Sequence, residues 1–515
     1  MGKLFFTSAI AISFLFSASL NAQVSFQKKI MIPGNSLMLI DANSVSDGGF
    51  LASGTDYAGN SMIMKTDAIG QPIWMKSFIP DSVGTYLNVI TADECINGGY
   101  YFFATDYNYS YYLSKTDVSG NILWTKKFTF SDMPYSIPKI FQKPNGDFVI
   151  IPSLYGGTGI ITIDQNGNYL WGQIFRDDPK CPGFSGVSCS DGGYMITGKD
   201  GSDVFIVKMN ASGTVQWSSR YQDINLYSQA RTILQTQDGN YLVAGYRMGA
   251  LGSCGFAMKI DASGNTIWHK EYSDASFSYN YDFSHAIELQ NGNIVFLDGN
   301  GAWGYSPSFI TQIDPNGNLI YSKKIGATDP STSYSSRSIG GIKLLPGGQL
   351  LLSGSTLDAS GFYSGLLIKA DANGDNFGCD VSDVSVTEST LPPIPRFTPA
   401  YTKTSIAPPI NITLQTSNVS FSSEEVCLTG VSENPNPAFI INISPNPSAD
   451  GNFTIETSDE GKKEFTVFNL MGEIIYSAET NQKSTISLGA PSGVYFLKLT
   501  DEKNNSSTKK MIISR

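Results

Sequence analysis

Residues that could carry out chemistry are scarce in this sequence of 515 residues. Only two histidines occur, His269 and His285, so a histidine-rich metal site is excluded. Neither has a motif beside it that supports a Ser-His-Asp triad, and both are predicted to be structural. Residues 371–376 alternate oxygen ligands like part of a calcium loop but lack the glycine position and distal glutamate of an EF-type loop. We therefore interpret them as a repeat turn and predict no metal site.

Pairs of carboxylates are the other catalytic candidates, because glycosidases place two of them across the scissile bond. Several aspartates fall in the predicted loops between repeats: Asp177, Asp178, Asp223, Asp274 and Asp282. The chain has a net charge of −11, and most acidic loop residues of such a protein are solvated surface groups. A polysaccharide-active enzyme, glycosidase or lyase, is therefore the alternative and not the favoured function.

The six cysteines show no zinc-binding or redox spacing. Cys379 and Cys427 bracket a Pro-rich segment and are a candidate disulfide, since export permits one. Cys95 and Cys189 occupy equivalent repeat positions, which favours simple packing as small apolar side chains. The full connectivity stays open.

The overall composition indicates an exported all-β protein. Charged residues are only 15% of the chain, aromatic residues are 12%, and there are 51 glycines and 24 prolines. This profile is not typical of a coiled coil, a helical solenoid or a disordered chain. The net charge of −11 also excludes a nucleic-acid-binding protein, because phosphate binding needs a basic surface.

Two patterns repeat about every 50 residues, as in propeller arrays. The first is a glycine turn before an apolar strand, with copies that start at Asp47, Asn97, Asn145, Asp191, Asp238, Asn291 and Pro346. The second is Asp, then Gly, then an aromatic residue, with copies that start at Asp67, Asp117, Asp164, Asn210, Asp261, Asp314 and Asp371. Asn210 replaces the aspartate in one copy, and the last copy has Gly378 in place of the aromatic residue. Glycine permits the positive φ of a tight turn, and the aspartate side chain can cap it.

Each repeat holds four short strands, which predicts a seven-bladed β-propeller over residues 23–379. The last repeat lacks the aromatic-led fourth strand, and a matching segment occurs at residues 26–30. We predict that this segment pairs with residues 366–370 and completes the last blade, so that no sheet edge is left open.

The first 22 residues have the pattern of a secretory signal peptide. Lys3 supplies a basic start, an apolar run follows from Leu4 to Leu20, and cleavage is predicted between Ala22 and Gln23. No basic stop-transfer cluster follows, which argues against a membrane anchor. The mature chain is predicted to be exported and either soluble or surface-attached.

The composition changes after the propeller. Residues 380–438 are rich in Pro, Ser and Thr and are predicted to form an extended spacer, able to lie along the propeller. Residues 411–414 and 419–421 are candidate edge strands within it. Residues 439–515 hold about six short strands, which predict a small C-terminal β-sandwich.

An ordered series of residues runs through this last module: Pro445, Asn446, Pro447, Gly451, Phe453, Asn469, Gly472, Gly493, Val494, Tyr495, Lys509 and Lys510. The series resembles the type A C-terminal sorting domain of Bacteroidota proteins that the type IX secretion system exports. The resemblance implies passage through the periplasm and recognition by the type IX machinery at the outer membrane. It also implies removal of the domain, with release or attachment at the cell surface.

The aromatic pattern of the propeller loosely resembles the tryptophan-docking repeats of pyrroloquinoline-quinone-type propellers, with one residue fewer between Asp and Gly. No cofactor-binding residue of those proteins can be matched here. We therefore predict neither a quinone nor another cofactor.

The sequence favours a monomeric, exported β-propeller that binds a glycan or protein ligand. Loops between successive blades share one face of the ring, and a candidate ligand face lies there: Tyr86, Tyr135, Phe184, Tyr227, Tyr281, Trp303 and Tyr334. Exposed aromatic rings suit stacking on sugars or contact with a protein. Packing of most of these rings between blades is the favoured interpretation of the individual residues, and a ligand face is the functional hypothesis.

Overall fold

A computed structural model describes most of the chain. The described residues are 25–56, 59–80, 87–106, 110–133, 138–176, 182–222, 227–249, 252–274, 281–298, 308–326, 337–357, 361–372, 377, 381–392, 394–399, 402–425, 441–458, 460–469, 474–501 and 506–514. All regular elements in these residues are β-strands, which confirms the all-β class. None of these residues belongs to a helix long and apolar enough to cross a membrane. Contacts divide the chain into a unit of Ser25–Thr429 and a second unit that holds Gly430–Arg515.

The first unit consists of sheets that follow one another along the chain, and seven of them are formed by the described residues. Strand β1 (Phe26–Met31) precedes sheet 1, which holds β2 (Leu37–Ser44), β3 (Phe50–Asp56), β4 (Ser61–Thr66) and β5 (Pro72–Pro80). Sheet 2 holds β6 (Leu87–Glu94), β7 (Tyr100–Asp106), β8 (Ser110–Thr116) and β9 (Ile122–Thr129). Sheet 3 holds β10 (Lys139–Gln142), β11 (Phe148–Ile151), β12 (Ser153–Leu154), β13 (Gly157–Ile163) and β14 (Tyr169–Arg176). Sheet 4 holds β15 (Gly183–Ser188), β16 (Tyr194–Asp200), β17 (Asp203–Met209) and β18 (Val215–Tyr221). Sheet 5 holds β19 (Tyr227–Gln235), β20 (Tyr241–Gly249), β21 (Gly252–Ile260) and β22 (Thr266–Asp274). Sheet 6 holds β23 (Phe283–Glu288), β24 (Ile294–Asp298), β25 (Ser308–Ile313) and β26 (Leu319–Ile325), and sheet 7 holds β27 (Arg337–Leu344), β28 (Leu350–Leu357) and β29 (Tyr363–Ala370).

The first glycine pattern forms the turn after the first strand of each sheet. In sheet 1 the Val45 amide donates to the Gly49 carbonyl at 3.0 Å, and the Gly48 amide donates to the Val45 carbonyl at 2.9 Å. Gly48 has a φ of 87°, a left-handed conformation that glycine adopts without steric strain. The turn therefore sets the register of the antiparallel pair that follows.

The second pattern forms the last turn of a sheet and also joins neighbouring sheets. Asp117 Oδ1 caps the turn by accepting the amide hydrogens of Ser119 and Asn121 at 2.9 and 2.8 Å. The Trp74 ring of sheet 1 lies on Gly120, where an added Cβ would be 2.9 Å from Trp74 Cη2. The same contact joins Phe26 with Gly70, Trp124 with Gly167, Trp171 with Gly213, Trp217 with Gly264 and Trp268 with Gly317. One aromatic ring thus docks each of these sheets onto the next.

Strand β1 connects the end of the series to its beginning. It pairs antiparallel with β29 of sheet 7, with Phe26 opposite Lys369 and Ile30 opposite Gly365. This is the strand pairing that the sequence predicted. Because the Phe26 ring lies on Gly70, β1 also docks sheet 7 onto sheet 1.

Clusters of buried apolar side chains bridge each sheet to the next. In the described residues they join sheets 1 and 2, 2 and 3, 3 and 4, 4 and 5, 5 and 6, 6 and 7, and 7 and 1. This cyclic packing of blade-like sheets confirms a propeller-like fold. The predicted count of seven blades stays a prediction, and the seven packed pairs support it.

The segment predicted as a spacer contributes an outer strand to each of these sheets. Its strands are β30 (Val381–Asp383), β31 (Val386–Thr390), β32 (Arg396–Phe397), β33 (Thr402–Ser405), β34 (Ile410–Ile412), β35 (Leu414–Asn418) and β36 (Ser422–Glu425). They pair in turn with sheets 6, 5, 4, 3, 2 and 1 and then with β1 of sheet 7. We call residues 381–425 the belt, because it follows the outer edges of the sheets in reverse order. Of the two candidate edge strands, residues 411–414 overlap β34 and β35, whereas residues 419–421 lie outside any strand.

The belt is held by more than backbone pairing. Ile406 and Leu414 are only 7% and 5% exposed and join the apolar clusters between sheets. Its acidic side chains pair with lysines of the outer strands: Lys29 with Glu424 at 3.1 Å, Lys270 with Glu388 at 3.0 Å and Lys323 with Asp383 at 2.8 Å. The guanidinium of Arg396 lies 5.1 Å from the centre of the Trp217 ring, over one of the docking aromatics.

The second unit is a small β domain, as the sequence predicted. Its strands are β37 (Ile441–Ser444), β38 (Asn452–Thr457), β39 (Lys463–Phe468), β40 (Ile474–Thr480), β41 (Lys483–Ser487), β42 (Gly493–Asp501) and β43 (Ser506–Ile513). One sheet has the order β37-β38-β41 and the other the order β40-β39-β42-β43. Side chains of both sheets, such as Phe453 and Leu497, form one buried core.

Candidate functional site

The innermost strands bring one residue from each sheet to the same level of the ring. Each lies four positions before the residue whose amide closes the first glycine turn, which is Val45 in sheet 1: Asp41, Thr91, Lys139, Ser185, Thr232, His285 and Gly341. The charges of Asp41, Lys139 and His285 act on one another although they lie on sheets 1, 3 and 6. Side chains of such distant sheets can meet only where the innermost strands converge. The candidate site is therefore the centre of the ring.

Asp41 is a fixed carboxylate at this centre and is 8% exposed. Its Oδ2 accepts from Thr91 Oγ1 at 2.6 Å and from Asn43 Nδ2 at 3.2 Å. The same oxygen lies 3.4 Å from Lys343 Nζ. Burial alone would raise the pKa of Asp41, but the charge of Lys343 and the hydrogen bond from Thr91 outweigh it and lower the pKa. The ionised carboxylate thus connects sheets 7, 1 and 2.

Lys139 and His285 are both shifted toward their neutral forms. Burial, followed by the charge of Lys343, lowers the pKa of Lys139 to about 8. Burial and the charges of the two lysines lower the pKa of His285 to about 3, so its imidazole is neutral. Ser284 Oγ lies 2.8 Å from His285 Nδ1 and 3.2 Å from the Leu297 carbonyl oxygen. With the hydroxyl donating to that carbonyl, Nδ1 carries the proton and Nε2 is an acceptor.

Asp93, on β6, is a half-buried carboxylate near this centre. Burial is the main cause that raises the pKa of Asp93 to about 6. The charges of Asp41 and Glu94 act in the same direction. The charge of Lys343 and a 2.7 Å hydrogen bond from the Glu94 amide oppose them. The pKa of Asp41 is therefore lowered and the pKa of Asp93 is raised relative to the ordinary value of an aspartate.

The substitution Asp93→Asn is expected to stabilise the protein near pH 7. Because its pKa of about 6 in the folded state exceeds the ordinary value, this carboxyl opposes folding increasingly as the pH rises from about 4 to 6. The amide keeps an acceptor for the Glu94 amide hydrogen and removes the charge. We expect a gain of roughly 1 kcal/mol near pH 7 after allowance for solvent screening. Denaturant unfolding near pH 4 and near pH 7 measures it, and an equal effect at both pH values would contradict the raised pKa.

The aromatic ligand face predicted from the sequence is only partly described. Four of its members lie outside the described residues: Tyr86, Tyr135, Trp303 and Tyr334. Phe184 and Tyr281 are buried, 4% and 0% exposed. The Phe184 ring lies 4.8 Å from the Arg231 guanidinium, and the Tyr281 ring lies 5.0 Å from the Phe309 ring. For these two residues the exposed-ring expectation is wrong, because the rings pack between sheets.

Tyr227 is half-buried and belongs to a second polar group, on sheets 4 to 6. Its hydroxyl accepts from Lys199 Nζ at 3.0 Å and from Gln229 Nε2. Arg231 Nε donates to Asp282 Oδ2 at 3.1 Å. Burial raises the pKa of Asp282 although Arg231 acts against it. The group is an internally paired network near the ring centre.

The remaining catalytic candidates are not brought together in the part of the chain that is described. Asp177, Asp178 and Asp223 lie outside it, and Asp274 is 3% exposed. His269 is buried, and its ring makes an edge contact with Phe256 at 6.0 Å. Within the described ranges, no group of three or more His, Cys, Asp or Glu side chains is placed to hold a metal ion.

The cysteine predictions are tested only in part. Cys95 and Cys189 are buried free thiols, and burial raises the pKa of Cys95 to about 12. Both lie in apolar clusters between sheets, which agrees with a packing role. Cys379 and Cys427 lie outside the described residues, so that disulfide stays a prediction.

In the second unit, the Pro-Asn-Pro segment is fixed to the last strand. Asn446 Nδ2 donates to the Lys510 carbonyl at 2.7 Å, and Asn446 Oδ1 accepts the Ile512 amide hydrogen at 2.8 Å. The Ser448 amide donates to the Ile512 carbonyl at 2.8 Å. The side chain of the motif asparagine therefore takes the place of a neighbouring strand beside β43.

The other motif residues separate into two kinds. Phe453 and Tyr495 are buried core residues, and the Tyr495 hydroxyl donates to the Pro491 carbonyl at 2.8 Å. Gly451 has a φ of 82° in a turn. Motif residues with at least part of their surface exposed are Pro445, Asn446, Pro447, Asn469, Gly493, Val494, Lys509 and Lys510. Gly472 lies outside the described residues.

The substitution Asn446→Ala is expected to destabilise the second unit by roughly 1–2 kcal/mol, because two hydrogen bonds to β43 are lost at an exposed site. We expect less protein outside the cell, with deletion of residues 440–515 as the reference for complete loss. Asn442, exposed on β37, provides the control substitution Asn442→Ala. Extracellular protein is measured by immunoblot, and equal amounts for both variants would contradict a role for Asn446.

The first unit defines an all-β protein with a propeller-like fold, and the second unit defines how it is delivered. Residues 442–514 match the family described as a secretion system C-terminal sorting domain. The match confirms the type IX sorting domain that the sequence indicated. It implies secretion by the type IX system, interaction with that machinery, and a cell-surface or extracellular location.

Similar solved structures include a protein of unknown function from Bacteroides caccae. It is 14% identical with a TM-score of 0.36, and the match covers 61% of this chain and 97% of that chain. A putative exo-beta-1,3-galactanase from Bifidobacterium bifidum s17 is 10% identical with a TM-score of 0.33, and that match covers 53% of this chain and 93% of that chain. No curated protein matches the chain.

Sequence reasoning missed the charged residues of the ring centre: Asp41, Asp93, Lys139 and Lys343. It also treated His285 as a structural residue, whereas that side chain lies among these charges. A usable signal exists, because Asp41, Lys139 and His285 occupy the same position relative to the first glycine turn. Polar residues at one level of successive inner strands indicate a polar ring centre.

Proposed function

We propose that this protein is an exported or surface-attached β-propeller that binds a glycan or protein ligand at the centre of its ring. The observation that carries the proposal is the convergence of Asp41, Lys139, His285 and Lys343 from four sheets. Converging polar groups at the mouth of a barrel or ring are a common setting for ligand binding. The surrounding sheets are rigidly packed, so these groups are held ready for a ligand.

The delivery route is the second part of the proposal. Residues 1–22 act as a signal peptide cleaved before Gln23, and the chain crosses the periplasm before the type IX machinery exports it. Removal of the sorting domain then leaves the ring unit, free or attached to the surface. We propose that the unit works as a monomer.

A polysaccharide-active enzyme is the second candidate, and one observation favours it. The pKa of Asp93 is raised and the pKa of Asp41 is lowered, as expected for an acid and an ionised partner in glycoside hydrolysis. Asp41 Oδ2, however, already accepts hydrogen bonds from Thr91 and Asn43 and lies beside the ammonium group of Lys343. A carboxylate held in this way is a poor nucleophile or base, so binding is favoured.

A glycan-array screen of the mature chain, combined with an assay for product release, tests the proposal. We expect a defined set of glycans or surface proteins to be retained without turnover. The ring unit alone, residues 23–429, should retain the same set. Release of product by the parent protein but not by Asp93→Asn would establish the enzyme instead. Failure of both binding and turnover over a broad screen would refute the proposal.

A further inference from the structure

Lys139 is half-buried on β10 and contrasts with the fully buried lysines of the ring unit. Its ammonium group makes no hydrogen bond or ion pair with any residue that the structure describes. The buried lysines of this unit all have an oxygen partner: Lys28 with Glu425, Lys65 with Asp47, Lys76 with Asn121, Lys208 with Asp191, Lys259 with Asp238 and Lys270 with Glu388. Because Lys139 is half-buried, its ammonium group is accessible to an anion from outside the chain.

A second ammonium group, that of Lys343, reaches the same centre from sheet 7. Its contact with Asp41 is 3.4 Å, and that carboxylate is shared with Thr91 and Asn43. The positive charge of Lys343 also acts directly on Lys139, which lies on sheet 3. The ring centre therefore holds two lysines close to the ionised carboxylate of Asp41, and Asp93 adds a second negative charge only above about pH 6.

The neutral groups around the two lysines complete a binding site. His285 is neutral, and its Nδ1 lies 2.8 Å from Ser284 Oγ. Ser185 and Thr232 lie at the same level of the inner strands as Lys139 and have hydroxyl groups that can donate. The described carboxylates of this centre are Asp41, which is engaged, and Asp93, which favours its protonated form below about pH 6.

We propose that Lys139 and Lys343 hold a small anionic group of the ligand at the centre of the ring. The inference rests on the proposed binding function and specifies its ligand: a carboxylate, as in a uronic acid residue, or a free inorganic anion such as sulfate. Charge-assisted hydrogen bonds from two ammonium groups suit either oxyanion. The chain carries a net charge of −11, so the excess of positive charge at this centre below about pH 6 is a local feature and not a general attraction for anions.

Calorimetric titration of the mature chain at about pH 5 and low ionic strength tests the inference, because Asp93 favours its protonated form at this pH. The probes are sodium sulfate, galacturonic acid and, as the neutral sugar of the same size, galactose. We expect an anionic probe to bind, galactose to bind at least about tenfold more weakly, and Lys139→Gln to lose about tenfold or more in affinity. Tighter binding of galacturonic acid than of sulfate identifies a sugar carboxylate as the ligand group, and the reverse order identifies a free anion.

Lys403→Gln is the matched control, because it removes the same charge from the exposed belt. It should leave the affinity unchanged. Without ligand, Lys139→Gln should melt at the same temperature as the parent or slightly higher, because no partner is lost and repulsion with Lys343 is relieved. A structural role for Lys139 would instead lower the melting temperature.

Three results would overturn the inference: no binding of either anion, equal affinity of Lys139→Gln and parent, or a clear loss of stability in that variant. Equal binding of galactose and galacturonic acid, unaffected by Lys139→Gln, would refute the anion site but not the proposed binding function. A glycan and protein screen that finds no ligand would refute the proposed binding function itself.

Discussion

A chain that ends at residue 379 is expected to melt about 10 °C or more below a chain that ends at residue 429. The shorter chain lacks the belt, so the outer strand of each described sheet becomes an unpaired edge. It also loses the buried side chains Ile406 and Leu414, each worth roughly 1.5–3 kcal/mol when fully buried. Because open edges pair with other chains, we expect the shorter chain to self-associate.

The chain that ends at residue 429 is the matched control, because it keeps the belt and lacks only the second unit. Circular dichroism melts and light scattering after size exclusion give the two readouts. Equal melting temperatures and a monomeric shorter chain would show that the belt is a passive covering. Glu424→Gln, which removes one belt ion pair, should change stability by less than about 1 kcal/mol.

Deletion of residues 23–32 is expected to have an effect of similar size. The deletion removes β1, which lies between β29 and β36 in the last sheet. It also removes the Phe26 ring from Gly70, the contact that docks sheet 7 onto sheet 1. Loss of β1 therefore opens the ring and frees the end of the belt together.

Phe26→Ala separates these two effects, because it keeps strand β1 and removes only the aromatic side chain that docks on Gly70. A large-to-small change at this 4% exposed site should cost roughly 3–5 kcal/mol. Chemical denaturation of the variant and of the deletion gives both values. A deletion that unfolds at the same denaturant concentration as the parent would mean that the ring does not depend on β1.

Much of the ring could be predicted because its information is local. Gly48 and Gly120 must adopt positive φ, and Trp74 follows at a fixed distance, so each repeat shows its own turns and docking ring. The belt could not be predicted in this way. Strands such as β32 and β33 have two to four mostly exposed residues without apolar alternation. They form because the outer strand of a sheet offers a template, which is a property of the assembled ring.

The site was harder to predict than the fold for a related reason. Asp41, Lys139 and His285 differ in type and are separated by many residues in sequence, so only closure of the ring brings them together. The repeat pattern predicts that these residues lie at the same position along the innermost strands. It does not predict which chemical groups face one another across the ring centre. Phe184 and Tyr281 illustrate the reverse error, because a rim position in the repeat does not distinguish an exposed ring from one packed between sheets.

The most direct test of binding at the ring centre is a crystal structure of residues 23–429 with the best glycan from the array. We predict intact ligand at the level of Asp41 and Lys139, with an oxyanion within hydrogen-bond distance of the Lys139 ammonium group. Ligand bound only on the belt or on the outer surface of the sheets, or found cleaved in the crystal, would contradict this prediction.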